Sequence, residues 1–326
     1  MKSPPGIATG TVIAFVLVAG TASAQSYPGK PIRLVVPYLA GASSNDVLAR
    51  AFSPRLSSAL GQQVFVENKP GANGNTGTDF VAKSPPDGYT LLIGVNGPIG
   101  ISPSVYPKLP YDPVRDLAPI ALIASVPYVM LVKPSVPANS IKELVALAKS
   151  KPGQLNYAST GVGSTPHLCA AMFANAVGID VVHVPYKGGA AIHTDMLGGV
   201  PIDIHCSGIV GSIGIFKSGK MKALAITSSQ RSPLLPDLPT MSEAGVPGFS
   251  AASWTGLLAP AKTSPAIINQ LSMETTKVIQ SAAFTDFLRK QGAGPTIITF
   301  DELGAFIKAE ITKWAVVVKV AGITAE

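Results

Sequence analysis

Charge is scarce in this chain, and long apolar runs are scarcer. Lysine, arginine, aspartate and glutamate make up 13% of its 326 residues, and the basic ones form no run. Nucleic-acid binding needs a basic stripe, so no nucleic-acid partner is expected; a formal net charge of +7 suits steering of small anions instead. Two cysteines, Cys169 and Cys206, are too few for a disulfide-stapled scaffold. They form one bridge or remain two buried thiols. The four histidines, His167, His183, His193 and His205, make neither H-E-x-x-H nor a compact ligand pair, so no metal and no cofactor are expected. The most apolar internal stretch, "LAPIALIASVPYVMLV", is divided by Pro119 and Pro127 into strand-length pieces, which excludes a membrane helix there.

The first residues are different. "MKSPPGIATGTVIAFVLVAGTASAQ" has Lys2, an apolar centre and then Ala22-Ser23-Ala24, the pattern of a cleavable export signal. Cleavage after Ala24 is expected, giving a periplasmic chain that begins at Gln25. Its apolar part is shorter than the ~20 residues a membrane anchor needs. The remainder, about 300 residues, is enough for two domains of ~100–200 residues each.

Strand-like runs such as "IRLVVPY", "TLLIGVN", "LNYAS", "VVHVPY" and "IDIHC" alternate with helical patterns such as "SNDVLARAFSPRLSSAL" and "STPHLCAAMFANAV". That order predicts an α/β fold with mixed sheets flanked by helices. Ser140 and Glu143 form a capping box before "IKELVALAKSK". The segment after "WTGLLAP" is helical and has no sheet of its own, so it must pack on the first domain. This predicts two lobes with a cleft between them: residues 25–126 with 253–326, and residues 127–252, behind a leader at 1–24. Two crossings, near Pro127 and Ser253, make a hinge.

Two of the strand-to-helix turns are alike. "VVPYLAGASSNDV" and "NYASTGVGSTPHL" both pass from a strand through small and hydroxyl residues into a helix. The first amides of such helices lack acceptors, and with the helix dipole they form an anion site. Asn45 or Asp46 caps the first helix, and Ser164 or Thr165 the second. Hydroxyls of Ser43, Ser44, Ser159, Thr160, Ser164 and Thr165 add donors. Four or five bonds to a charged group, ~1.5–3 kcal/mol each before ordering costs, suffice for micromolar binding without an arginine. Neither turn carries G-x-S-x-G or a P-loop. His167, in the first turn of the second helix, either reaches a bound anion or is structural; His183 lies in a strand pattern and reads as structural.

With both turns in view, the chain resembles the periplasmic solute-binding receptors of tripartite tricarboxylate transporters. The likeness is carried by "YPGKPIRLVVPYLAG", "VENKPGANGNTGTDFVAKSPPDGYTLLIG", "SPSVYPKLPYDPVRDLAPI", "KPGQLNYASTGVGSTPHL", "VHVPYKGG" and "SWTGLLAP". It implies a two-lobed, type II-like periplasmic binding fold that captures a small organic acid and delivers it to membrane permease subunits. Residues matching the family's cleft are Tyr38, Ala42, Ser43, Ser44, Asn45, Asp46 and Asn96 in the first lobe. In the second they are Ser159, Thr160, Gly163, Ser164, Thr165 and His167, with Lys187, Gly188 and Gly189 as the floor.

Two departures from the family pattern stand out. "AGASSND" has alanine and serine where glycine is usual and is about one residue longer. Cys206-Ser207-Gly208 stands where many members have "FDS", so Ser207 replaces an aspartate that can meet an amino group. Amine-free mono- or dicarboxylates, aromatic acids included, are therefore expected over amino acids. The chain is expected to be a monomer and not an enzyme. Alternatives are an exported hydrolase using Ser164 with a histidine, and a ligand sensor for a signalling kinase.

Overall fold

The computed structural model describes residues 27–324 apart from 42, 211, 297 and 299, with the backbone alone at 295, 300 and 301. The leader expected at 1–24 and the site candidate Ala42 lie outside the described residues. The strands are β1 (Ile32–Val36), β2 (Val64–Asn68), β3 (Thr90–Val95), β4 (Leu117–Val132), β5 (Asn156–Ser159), β6 (Val182–Pro185), β7 (Ile204–Gly208), β8 (Lys222–Ile226), β9 (Ala252–Pro260) and β10 (Gly294–Pro295). The helices are α1 (Ser44–Leu60), α2 (Asn75–Ala82), α3 (Ser102–Val105), α4 (Ile141–Ser150), α5 (Thr165–Val177), α6 (Gly189–Leu197), α7 (Ile213–Lys217), α8 (Pro265–Gln280), α9 (Ala282–Lys290) and α10 (Phe300–Ala321). Among the described residues, no helix is long and apolar enough to cross a membrane.

The strands fall into two sets that share β4. In the first, β1 pairs in parallel with β2 and β3, β3 runs antiparallel to β9, and β9 antiparallel to β4. In the second, β5 pairs in parallel with β6 and β7, while β4 runs antiparallel to β7 and β8. From Leu117 to Pro127, β4 pairs with β9; from Tyr128 to Val132 it pairs with β7 and β8. The two prolines do not divide this stretch as the sequence suggests. Pro119 falls where the β4–β9 register shifts, and Pro127 falls where one set of partners gives way to the next. A missing N–H removes a ladder bond, and these are places where a bond is dispensable.

Burial follows from the strand composition. Four of the five β1 residues are buried, and Ile32, Leu34 and Val36 share one core cluster with Leu48, Phe52 and Leu56 of α1. A second cluster joins Tyr128, Met130 and Val132 of β4 to Cys169 and Phe173 of α5. Cys169 and Cys206 form the bridge that the sequence left open, tying α5 to β7 across 6.2 Å between Cα atoms.

The C-terminal segment does more than cover the first strand set. β10 adds a short antiparallel pairing to Ala124 and Ser125 of β4. Trp314 and Val318 of α10 pack with Ile101 and Val105 on one side and with Leu168 of α5 on the other. One helix thus touches both sets.

Candidate functional site

The turn from β1 into α1 is set by a serine cap and a buried carboxylate. Ser43 is the N-cap: its backbone is extended and its Oγ accepts the Asp46 amide at 3.1 Å. Neither Asn45 nor Asp46 caps the helix, because the chain is already helical from Ser44. Asp46 is fully buried and saturated instead. Its Oδ2 accepts the Gly41 amide at 2.7 Å and Arg50 Nε at 2.8 Å, while Oδ1 accepts Asn68 Nδ2 at 2.8 Å. Burial works to raise this carboxyl, but the bonds from Arg50, Asn68 and Gly41 outweigh it and hold it below the usual aspartate range. Asp46 therefore shapes the loop from behind. Asn45 faces the cleft, and its Oδ1 accepts the Thr255 hydroxyl of β9 at 3.0 Å, which leaves its amide N–H2 as a donor.

The turn from β5 into α5 follows the same plan. Ser164 is the N-cap and accepts the His167 amide at 3.4 Å. Pro166 has no amide proton, and the Ser164 amide is taken by the Gly161 carbonyl at 3.1 Å, so the free donor at this helix start is Thr165 N–H. Gly163 needs its φ of +74°, and its amide donates to His167 Nδ1 at 3.2 Å. That bond makes Nδ1 an acceptor and commits that nitrogen to holding the turn. The ring stacks on His183 with centroids 3.8 Å apart, and burial, then the His183 neighbour, bring His167 down to about 3. His183 falls to about 4 through burial, and its Nε2 meets Ser159 Oγ at 2.6 Å.

Both turns open onto one cavity of about 230 Å3. Of the predicted residues it gathers Tyr38, Ser43, Ser44, Asn45, Thr160, Ser164, Thr165, Lys187, Gly188, Gly189 and Ser207. Asp46, Asn96, Ser159, Gly163 and His167 do not line it. The first, third, fourth and fifth are turned into the turns' own hydrogen bonds. Asn96 is buried in the wide helical turn after β3, its Oδ1 2.5 Å from where a Gly100 Cβ would stand, while its neighbours Val95 and Gly97 face the cavity.

The structure adds residues that sequence reasoning missed: Tyr128, His193, His205, Ser212 and Ser253. Burial raises the Tyr128 phenol to about 12, against an opposing pull from hydrogen bonding with Thr165 and Ser253, so it is a neutral hydroxyl. α6 supplies a third helix start, which has no side-chain cap and begins at the lining residues Gly188 and Gly189. The period-two pattern of "IDIHC" was the available signal for His205, since it puts His205 and Ser207 on one face of β7.

The chemistry on offer is anion capture. Among the described lining residues there is no carboxylate, and the cations are limited to Lys187, which is exposed. Ser164 Oγ accepts the His167 amide as the helix cap, and among the described residues no histidine ring nitrogen bonds it as a general base would. Among the described residues no three His, Cys, Asp or Glu side chains gather as a metal group. A wider space of about 870 Å3 shares Tyr38, Leu39, Thr160 and Lys187 with the cavity.

The same chain architecture recurs in known proteins. A family model described as "Tripartite tricarboxylate transporter family receptor" matches residues 48–323. Protein BugT of Bordetella pertussis is 38% identical over 96% of this chain and 96% of its own length. The solved structure of R. palustris Rpa4515 with adipate superposes with a TM-score of 0.88 at 36% identity, covering 91% of this chain and 99% of that one. MatC from Rhodopseudomonas palustris with bound malate superposes with a TM-score of 0.84 at 30% identity, covering 90% and 100%.

Proposed function

The chain belongs to the tripartite tricarboxylate transporter receptor family, and from that membership we propose that it captures a small organic carboxylate at the α1 and α5 starts and passes it to a membrane permease. It is a solute-binding receptor of the α/β periplasmic binding fold and not an enzyme. The observation that carries the ligand class is the pairing of two serine-capped helix starts on one small cavity that no described carboxylate lines. Free amides of Ser44, Asn45 and Thr165 with the surrounding hydroxyls hold the acid group. Adipate and malate in the two solved relatives are acids of this kind.

The lobes in this reading are residues 25–126 with 253–326, and residues 127–252, with export by the leader at 1–24. They close about β4 and β9, where Val126 faces Ser253 and Pro127 faces Ala252. Closure follows from the ligand binding the closed form more tightly than the open one. Ser207 at the inner wall offers nothing negative to an amino group, so the ligand is an amine-free acid.

Titration calorimetry against a panel of organic acids tests this. At least one amine-free acid binds with micromolar affinity, and X-ray scattering shows compaction as it does. A panel in which no acid binds, or a complex whose ligand leaves both turns empty, ends the reading. Delivery is tested by reconstituted uptake with the large and small permease subunits, which should depend on this chain.

A further inference from the structure

The inner wall of the cavity is made of two histidines that the capture of one acid group does not use. His205 and Ser207 lie two residues apart on β7 and face the same side. His193 joins them from α6, its Nε2 3.4 Å from Ser207 Oγ and its ring edge-on to His205 with centroids 5.6 Å apart. His205 Nδ1 is 3.1 Å from the Ala158 carbonyl oxygen. A carbonyl only accepts, so Nδ1 carries a proton and Nε2 of the neutral ring presents a lone pair. Among the described residues that nitrogen has no hydrogen-bond partner.

β7 also gives the depth of this wall. A Cβ on Gly208 would meet Ser44 Oγ at 2.7 Å, so that end of the strand adjoins the α1 start. Ser44 and His205 both line the cavity, and three residues of β7 separate Gly208 from His205, roughly 10 Å along the strand. A dicarboxylate of several carbons bridges that separation, and one acid group does not.

The other charges around the wall are exposed or paired. Lys187, on the loop before α6, is exposed. Tyr128 of β4 is a neutral phenol. Asp203, before β7, is paired with Lys133 at 2.9 Å and accepts the Asn156 amide at 2.9 Å. Asp195 of α6 accepts the Tyr186 hydroxyl at 2.7 Å, and Asp46 of α1 holds Arg50. Burial lowers both rings, and His205, with its His193 neighbour adding to the effect, falls to about 3, so the wall is uncharged at neutral pH.

We infer that His193 and His205 form a proton-loading subsite for the second acid group of a dicarboxylate, which takes up one proton from solution as it binds. The inference rests on the carboxylate reading of the same cavity. A second carboxylate laid against His205 Nε2 sets lone pair against lone pair. One proton between them converts that contact into a donor and an acceptor; among the described lining residues the cation is Lys187, exposed on the loop before α6. The proton stays on imidazole nitrogen or acid oxygen while the ligand is bound and leaves with it. A monocarboxylate, held by the helix starts alone, carries none.

The test is titration calorimetry of the mature chain near pH 6, within the range where histidine charge is adjustable, in two buffers of different ionisation enthalpy. Adipate and hexanoate are the probes. Adipate should take up about one proton, and its affinity should fall about tenfold per pH unit as pH rises; hexanoate should take up none and show no such slope. His193→Gln and His205→Gln should each remove the uptake with adipate, and if the buried His205 variant fails to fold, His193→Gln and the wild-type pH series decide. Adipate binding without proton uptake, or binding of hexanoate with exclusion of adipate, overturns the subsite and leaves single-carboxylate capture standing. Failure of every acid to bind overturns the carboxylate reading itself.

Discussion

Ser44, in the first turn of α1, donates its hydroxyl to the backbone carbonyl of Val210, beyond the end of β7. The two residues are 166 apart in the chain, and they belong to the two strand sets on either side of the cavity. In the closure proposed above, a bond of this kind would form only with the two walls together, adding to the closed form and not to the open one. Its net worth is about 1 kcal/mol. Ser44→Ala should therefore weaken ligand binding about fivefold, and Gly208→Ala, whose Cβ displaces the Ser44 hydroxyl, should do the same. Calorimetry on the two variants and their double checks this, and the double should be no worse than either single.

Asp46 offers a pH prediction with a definite sign. Its carboxyl lies below the ordinary aspartate value in the fold, so its contribution to stability is complete above that ordinary value and is lost as pH falls through the lowered one. The melting temperature of the wild type should drop in acid over that window. Asp46→Asn should be less stable by about 2–3 kcal/mol at neutral pH, from the loss of charge-assisted bonds to Gly41, Arg50 and Asn68, and should lack that part of the acid slope.

Reduction of Cys169–Cys206 frees α5 from β7. The bridge spans a separation of 37 residues, and closing such a loop in the unfolded chain corresponds to about 4 kcal/mol. Thermal melts with and without reductant, beside a Cys169→Ser/Cys206→Ser double variant, should show a matching loss. Ligand affinity should fall as well, because α5 carries Thr165 and β7 carries Ser207.

Ser207→Asp should invert the ligand preference. A carboxylate on that wall repels an acid and attracts an amino group. Binding of amine-free acids should weaken at least tenfold, about 1.4 kcal/mol, while aspartate or glutamate gains affinity. A paired calorimetric screen of wild type and variant reads both changes.

The sequence carried the α/β order and the two small-residue turns, because each is written in a local pattern of apolar spacing and turn chemistry. It did not carry the division of labour within the first turn. Ser43, Asn45 and Asp46 are all good caps, and which one acts depends on where the backbone becomes helical. Asp46 was further disguised because one of its partners, Asn68, comes from β2. His167 had two open roles for a similar reason: only the fold shows Gly163 N–H on its Nδ1. Prolines misled the reading of β4, since a proline weakens a strand only where the ladder needs its proton. His193 was invisible as a site residue, because its partner Ser207 lies on a different element.

β4 leaves one set of partners at Pro127 and takes up the other at Tyr128 without a loop between them. A receptor that opens about such a strand flexes like a leaf spring, not like a door on a pin. On the closure proposed above, its travel would be limited by how far a sheet will twist, and each excursion would store a restoring force in the backbone itself. Release of cargo would then draw on elasticity held in the hinge, and the empty receptor would return to one rest position between rounds.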